Sequence, residues 1–307
     1  MIFTSFKAMH GDSFLISTQK TKVLIDGGTP NTYGQIINTL DDNSLSAVFV
    51  THVDYDHIGG IINLIEDDNY NIDNCIFYMN HPDLICEYQG NKVGFKHGDT
   101  VNDLLKRRKK TFNSIKSQDI INIDDIQLLA LSPTENDILE LHKNWNANKF
   151  YIDDQLTYIK RQKNNGDIIN KSSIVLIITH NNINILLLGD AHAKPTCEEL
   201  IKLGYSIKKP IFLDLIKISH HGSKHNTSKE LLELVDCTNF YISTNGGNYN
   251  HPDKETIKLL ADRATELNTT FNIYLNYDIE EDIRDKCIFS LKSLNFIYEN
   301  VLDLKCQ

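Results

Sequence analysis

Ala47-Val48-Phe49-Val50-Thr51-His52-Val53-Asp54-Tyr55-Asp56-His57-Ile58-Gly59-Gly60 is the stretch that decides the fold. Its first four residues form a continuous apolar run, the pattern of a strand buried on both faces. Four side chains able to hold a metal ion, His52, Asp54, Asp56 and His57, follow within six residues. A strand end that runs into a tight turn aims several side chains at one point. His52 and Asp54, two apart, point the same way in an extended segment. Asp56 and His57 then enter the helix expected over 58–65, and Gly59-Gly60 lets the backbone turn closely beneath the site. Mixed imidazole and carboxylate ligands suit zinc, manganese or iron. A polar loop with two histidines and an N-cap aspartate is the bland alternative, and the rest of the chain weighs against it.

Three short β-rich runs at 2–6, 13–17 and 22–25 come before this stretch, and Asp26-Gly27-Gly28 breaks the last of them. Helices are expected over 33–40, 99–116, 134–145 with Thr134 near the N-cap, 194–203, 228–234 and 253–267. Strands are expected over 75–79, 126–131, 213–218, 240–243, 271–275 and 287–291, and the runs 173–179 and 183–188 read as a hairpin. Residues 153–170 read as a loop or ragged hairpin. We take the whole stretch from about 80 to 170 as an elaborated or inserted segment of one domain spanning 1–307. Strands followed by strand–helix units in both halves suit an α/β fold of two packed sheets with helices outside. Later strand ends carry Asp190, His220-His221 and His251. Singly, Asp190 reads as a helix cap and His251 as the turn before a helix. Their common placement where such sheets present functional groups favours one shared site.

The 307 residues suffice for one large core. Hydrophobic residues at 41% and charged residues at 23% are ordinary for a soluble globular chain. A net charge of −10 argues against a broad basic face for nucleic acid, though not against a local patch. Lys106-Arg107-Arg108-Lys109-Lys110 is the run suited to phosphate, and a solvated helix face is the commoner origin of such runs. No run approaches the roughly 20 apolar residues of a membrane helix, and the first residues lack signal-peptide features, so no membrane association is expected. Cys75, Cys86, Cys197, Cys237, Cys287 and Cys306 are scattered, and read as reduced, mostly buried thiols of a cytoplasmic protein. His81, His97, His142, His180, His192 and His225 are expected on the surface or in turns.

On these motifs the chain resembles the metallo-β-lactamase superfamily over most of its length. Asp26 in Leu24-Ile25-Asp26-Gly27-Gly28 matches the first motif, and residues 51–60 match the second, usually H-x-H-x-D-H. Leu188-Gly189-Asp190 matches the fourth, and His251 fits the last ligand position. Within it, the chain resembles the hydrolase domain of competence DNA-uptake channel proteins (the ComEC type) and its free-standing bacterial relatives. These combine H-x-D-x-D-H, a later G-D and an S-H-H-G-S segment. His10-Gly11-Asp12-Ser13-Phe14-Leu15-Ile16 and Asn170-Lys171-Ser172-Ser173-Ile174-Val175-Leu176 also resemble that subgroup. Two departures stand out. Asp54 replaces the usual second histidine, and residues 170–173 lie where a third-motif histidine is expected.

The resemblance implies a four-layered αββα sandwich and two divalent metal ions, Zn2+ or Mn2+, bridged by Asp190. Its ligands would be His52, Asp54, Asp56, His57, Asp190 and His251, with His52 serving the first ion and Asp56 and His57 the second. Asp26 and His220 would stand behind the ligands and hold them by hydrogen bonds. Asp56 would also orient or deprotonate the attacking water. His221 either binds a metal or protonates the leaving group, and both roles stay open. Lys217, Ser223 and Lys224 are candidates for contact with an anionic substrate. The implied activity is phosphodiester hydrolysis on a nucleic acid or nucleotide. Hydrolysis of a lactone, thioester or lactam is the alternative within the fold. A binding or regulatory module working with protein partners is the alternative outside catalysis.

Overall fold

The computed structural model describes residues 1–40, 45–81, 95–147, 149–152, 155–158, 165–247 and 249–305. Two sheets carry the fold. The first runs in the order Val301–Asp303, Ile2–Ser5, Phe14–Ser17, Lys22–Ile25, Ala47–Phe49, Ile76–Tyr78, Phe112–Asn113. The second runs Leu294–Tyr298, Phe271–Leu275, Asn239–Ile242, Leu215–Lys217, Ile183–Leu187, Val175–His180, Ile126–Ser132, Ile120–Ile123.

Strand periodicity sorts the apolar side chains into layers. Phe14, Ile16, Val23, Ile25, Ala47 and Phe49 meet Leu128, Leu176, Ile185, Leu215 and Tyr241 between the sheets. The alternate residues Leu15, Leu24 and Val48 face the other way, onto helices Tyr33–Thr39, Tyr55–Glu66 and Phe95–Arg107. The outer face of the second sheet packs on Ala193–Lys202, Lys229–Leu234, Lys254–Glu266 and Glu280–Lys286. Helix, sheet, sheet, helix is the αββα sandwich expected. Among the described residues no helix is long and apolar enough to cross a membrane.

The topology places the chemistry at one edge. Lys22–Ile25, Ala47–Phe49 and Ile76–Tyr78 are parallel in the first sheet. Ile183–Leu187, Leu215–Lys217 and Asn239–Ile242 are parallel in the second. Their carboxyl ends lead into Asp26, His52 and His81 from the first sheet, and into Asp190, His220-His221 and Ser243 from the second. Phe14 pairs antiparallel with Ile25, which brings Asp12 to the same edge. Open α/β sheets gather their functional groups at such strand ends.

The middle stretch is woven into both sheets. It supplies the edge strand Phe112–Asn113 of the first and the hairpin Ile120–Ile123 with Ile126–Ser132 of the second. The helix expected to reach 116 ends at Arg107. Arg108 then donates to the carbonyls of Ile65, Asp67 and Tyr70 at 2.9–3.2 Å, and Lys110 to that of Asp73. These two cations of the basic run are therefore engaged in anchoring loops of the chain itself. Thr134 caps Glu135–Ala147 by exchange with Asp137: Thr134 N–H donates to Asp137 Oδ2 at 3.0 Å, and Asp137 N–H to Thr134 Oγ1 at 3.3 Å. A hairpin pairs Lys149–Ile152 with Gln155–Tyr158, so only its second strand falls within the stretch 153–170 read as a loop or ragged hairpin, and helix Asn165–Lys171 occupies the end of that stretch. Residues 153–154 and 159–164 of that expectation lie outside the described residues.

Other differences have local causes. His81, expected at the surface, is buried and shares 2.7 Å with Asp99, which also accepts from Trp145 Nε1 at 3.2 Å. The side chain of His97 lies outside the described residues. No strand forms over 287–291. The pairing edge offered by Phe271–Leu275 is taken by Leu294–Tyr298, and Ile288 is left fully exposed. Asn181 and Asn182, at φ 48° and 65°, make the left-handed two-residue turn between Val175–His180 and Ile183–Leu187. Cys75, Cys197, Cys237 and Cys287 are buried free thiols, and burial pushes Cys75 and Cys237 up to about 12. Cys86 and Cys306 lie outside the described residues.

Candidate metal centre

Asp190 is the hub. Gly189 reaches φ 49°, a backbone that glycine adopts without strain, and turns the chain so that Asp190 faces the gap between the sheets. The Nε2 atoms of His52, His57, His220 and His221 lie 3.7, 3.6, 3.6 and 3.9 Å from Asp190 Oδ2. These separations are too long for hydrogen bonds. They are ordinary for two ligand atoms on one ion with bonds of about 2.0–2.2 Å.

The other ring nitrogen of each histidine is tied. His57 Nδ1 donates to Asp26 Oδ2 at 2.8 Å, and His221 Nδ1 donates to the Ser243 carbonyl at 2.7 Å. Asn226 donates through Nδ2 to the Asp190 carbonyl at 3.0 Å, so its Oδ1 accepts from His220 Nδ1 at 3.2 Å. Thr51 Oγ1 spends its proton on Asp26 Oδ2 at 2.6 Å and accepts from His52 Nδ1 at 3.0 Å. Ser173 Oγ lies 3.1 Å from the same His52 nitrogen and accepts from Asp190 N–H at 3.3 Å. In their neutral forms all four rings therefore carry the proton on Nδ1 and turn an Nε2 lone pair toward Asp190. This is how carboxylate and carbonyl partners prepare histidine to bind a metal.

The same ring of atoms is poorly satisfied by the protein alone. Among the described residues, His52 Nε2, His57 Nε2, His221 Nε2 and Asp190 Oδ1 are buried with no hydrogen-bond partner. Each such group costs about 1–3 kcal/mol. A divalent cation among them would satisfy them together, so the residues present fit one.

Electrostatics agree. Burial works most strongly on Asp190 and would raise its pKa, yet the encircling imidazoles of His220, His57, His221 and His52 hold it well below the usual carboxylate range. Burial depresses His52 well below its ordinary value, and His221 is lowered for the same reason. Burial also opposes charge on His57, but Asp190, Asp26 and Asp56 outweigh it and raise that ring well above its ordinary value. Burial raises Asp26. Of these rings, His57 is the one whose surroundings favour the charged form.

Several expected residues stand elsewhere. Donor atoms within 4.8 Å of one another come from Asp12, His57, Asp190 and His221, and from Asp26, His52 and His57. Asp54, Asp56, His220 and His251, all drawn into the expected site, belong to neither group. Asp54 is the N-cap of Tyr55–Glu66. Asp56 is one helical step from inward-facing His57, so its carboxylate turns to the rim, with Oδ2 3.7 Å from His10 Nε2. His251 stacks on Tyr249 at a ring distance of 5.9 Å and meets His220 edge-on at 5.8 Å, and burial lowers its pKa to about 4. His220, expected behind the ligands, faces Asp190 instead, because His220 and His221 both adopt left-handed backbone at φ 47° and 54°. Lys217 is fully buried, which corrects its expected contact with substrate. Ser223 is buried as well and caps a turn by accepting from His225 N–H at 3.4 Å. Lys224 remains exposed at the rim.

Sequence reasoning gave no role to Asp12, Ser173, Asn226 or Ser243. Asp12 and Ser173 lay inside quoted motifs, so position relative to strand ends was the available signal. Asn226 and Ser243 carried none.

Residues 7–75 match the family model for the metallo-beta-lactamase superfamily. The chain is similar to ComE operon protein 3 of Bacillus subtilis (strain 168), 24% identical over 273 residues, covering 82% of this chain and 29% of that protein. It therefore spans less than a third of that relative's length. Among solved structures it is similar to YhfI from Bacillus subtilis, a metallo-beta-lactamase fold protein, at 11% identity and a TM-score of 0.48, covering 99% and 100% of the two chains. It is also similar to a metal-dependent hydrolase of the beta-lactamase superfamily, at 12% identity and a TM-score of 0.48, with both chains fully covered.

Proposed function

We propose that this chain, a metallo-β-lactamase superfamily protein by its fold and by residues 7–75, is a metal-dependent phosphodiesterase acting on nucleic acid or nucleotides. The observation that carries the metal dependence is the ring of four Nε2 atoms around Asp190 Oδ2, each histidine locked from behind. His52, His57, His220, His221 and Asp190 would hold zinc or manganese. A divalent ion there supplies Lewis acidity and lowers the pKa of water.

The chain's own residues do the rest. Asp26, Thr51, Ser243 and Asn226 keep the imidazoles oriented, so the site needs no rearrangement to act. Asp56 lies at the solvent edge beside His10, within the same turn as His57, and takes the role of orienting or deprotonating the attacking water. His251, neutral at pH 7, shields the outer flank of His220. His10, Tyr55 and Tyr249 are exposed, Tyr249 at 77%, and form the rim a substrate would meet. The phosphodiester preference rests on resemblance to competence DNA-uptake hydrolase domains. The cytoplasmic location expected from the scattered cysteines remains part of this proposal.

The test compares wild type with Asp190→Ala on single- and double-stranded DNA and on a chromogenic phosphodiester, with zinc or manganese added. Cleavage by wild type alone supports the proposal. Opening of a lactone or thioester without phosphodiester cleavage overturns the substrate, and metal-independent cleavage overturns the mechanism.

A further inference from the structure

Lys217 is wholly buried, as is Asp12, and the two form an ion pair beside the centre. A buried ammonium keeps its charge only against a well-placed anion. Its Nζ also donates to the Gly189 carbonyl at 3.1 Å and lies 4.0 Å from Asp190 Oδ1. The ammonium thus stands between the carboxylates of Asp12 and Asp190. Asp12 is within ligand distance of the same donor group as His57, Asp190 and His221. Yet both its oxygens are engaged, Oδ2 by Lys217 and Oδ1 by the Ser243 hydroxyl.

We infer that Asp12 is a latent metal ligand held out of the donor ring by Lys217, and that this buried pair sets the metal affinity of the centre. The inference rests on the metal-centre reading above. Two charges of opposite sign act on the bound cation. Lys217 repels it, with Nζ 4.0 Å from Asp190 Oδ1. Asp12 cancels most of that repulsion. At such separations in a protein interior each charge matters far more than in water. Removing either alone therefore moves affinity in opposite directions. A merely structural role predicts weakening in both cases, because either loss would disturb the packing around His221 and Asp190.

The experiment measures zinc and manganese affinity of the full chain by competition with a chromophoric chelator, with thermal melting to verify folding. Lys217→Met frees Asp12 and should tighten binding by about tenfold or more, whereas Asp12→Asn leaves Lys217 unopposed and should weaken it by about tenfold or more. The double variant Lys217→Met with Asp12→Asn, nearly isosteric and without net charge change, should return to within about threefold of wild type. It carries the test if Lys217→Met fails to fold. Shifts of the same sign, or a double variant as weak as Asp12→Asn, overturn the inference. A wild type that takes up no metal overturns the metal-centre reading itself.

Discussion

Asp26→Asn exchanges an oxygen for an NH2 group and leaves the volume of the side chain almost unchanged. Asp26 Oδ1 accepts from the Thr51 N–H at 2.7 Å, and a main-chain donor cannot reverse its role. The asparagine oxygen must therefore face Thr51 N, which turns its NH2 group toward Thr51 Oγ1 and His57 Nδ1. Both become acceptors. His57 then keeps its proton on Nε2, facing Asp190, and Thr51 is free to donate to His52 Nδ1, which reverses that ring as well. Two of four metal-facing lone pairs are lost without a change of shape. Loss of such a supporting partner costs about 10–100-fold in metal affinity, or roughly 1.4–2.7 kcal/mol. Three charge-assisted bonds also become neutral ones, at about 1 kcal/mol each in folding stability. Chelator competition measures the first effect, denaturant unfolding the second, and nitrogen NMR shifts the tautomer. A folded variant that binds metal within about threefold of wild type would refute this reasoning.

Further outcomes are expected. The raised pKa of His57 stabilises the metal-free protein below 6.5, and that contribution is lost as pH climbs through the folded value. The lowered values of His52, His221 and His251 act oppositely, with stability complete above 6.5 and lost as pH falls below it. Melting temperatures of metal-free protein should therefore peak near pH 6.5, and metal loading should remove the alkaline decline; a flat profile contradicts this. Arg108→Ala removes three bonds to main-chain carbonyls and should cost about 3 kcal/mol of stability, with DNA cleavage and its salt dependence unchanged. Lost cleavage in a folded variant would restore the basic run as a phosphate contact. Gly11→Ala would set a Cβ 1.8 Å from the Asp56 carbonyl oxygen, and the forced shift of the turn bearing His57 should destabilise by about 3 kcal/mol and weaken metal binding.

The αββα architecture was legible because the strands Lys22–Ile25, Ala47–Phe49, Ile183–Leu187 and Leu215–Lys217 are short apolar runs that lead within three residues into aspartate or histidine, and strand ends are where such folds hold their chemistry. His52 and Asp190 were singled out by that rule, and His57 by its place in the same motif, together with the family resemblance. Asp56 shares the motif but stands one helical step from His57, which carries its carboxylate to the rim beside His10. The left-handed backbone of His220 and His221 has no signature in residue type, so that both rings face Asp190 was not readable. Lys217 looked like a surface cation, because a lone lysine in a strand gives no hint of a buried anion 205 residues away. The middle stretch was opaque for a related reason. Its strands pair with distant partners at the sheet edges, and local pattern does not record them.

The most direct measurement is X-ray absorption on the zinc-loaded chain. The account predicts a nitrogen- and oxygen-only shell with the multiple-scattering signature of several imidazoles, weakened in His220→Ala and His52→Ala. A protein that binds no zinc, or a shell without imidazole scattering, would contradict it.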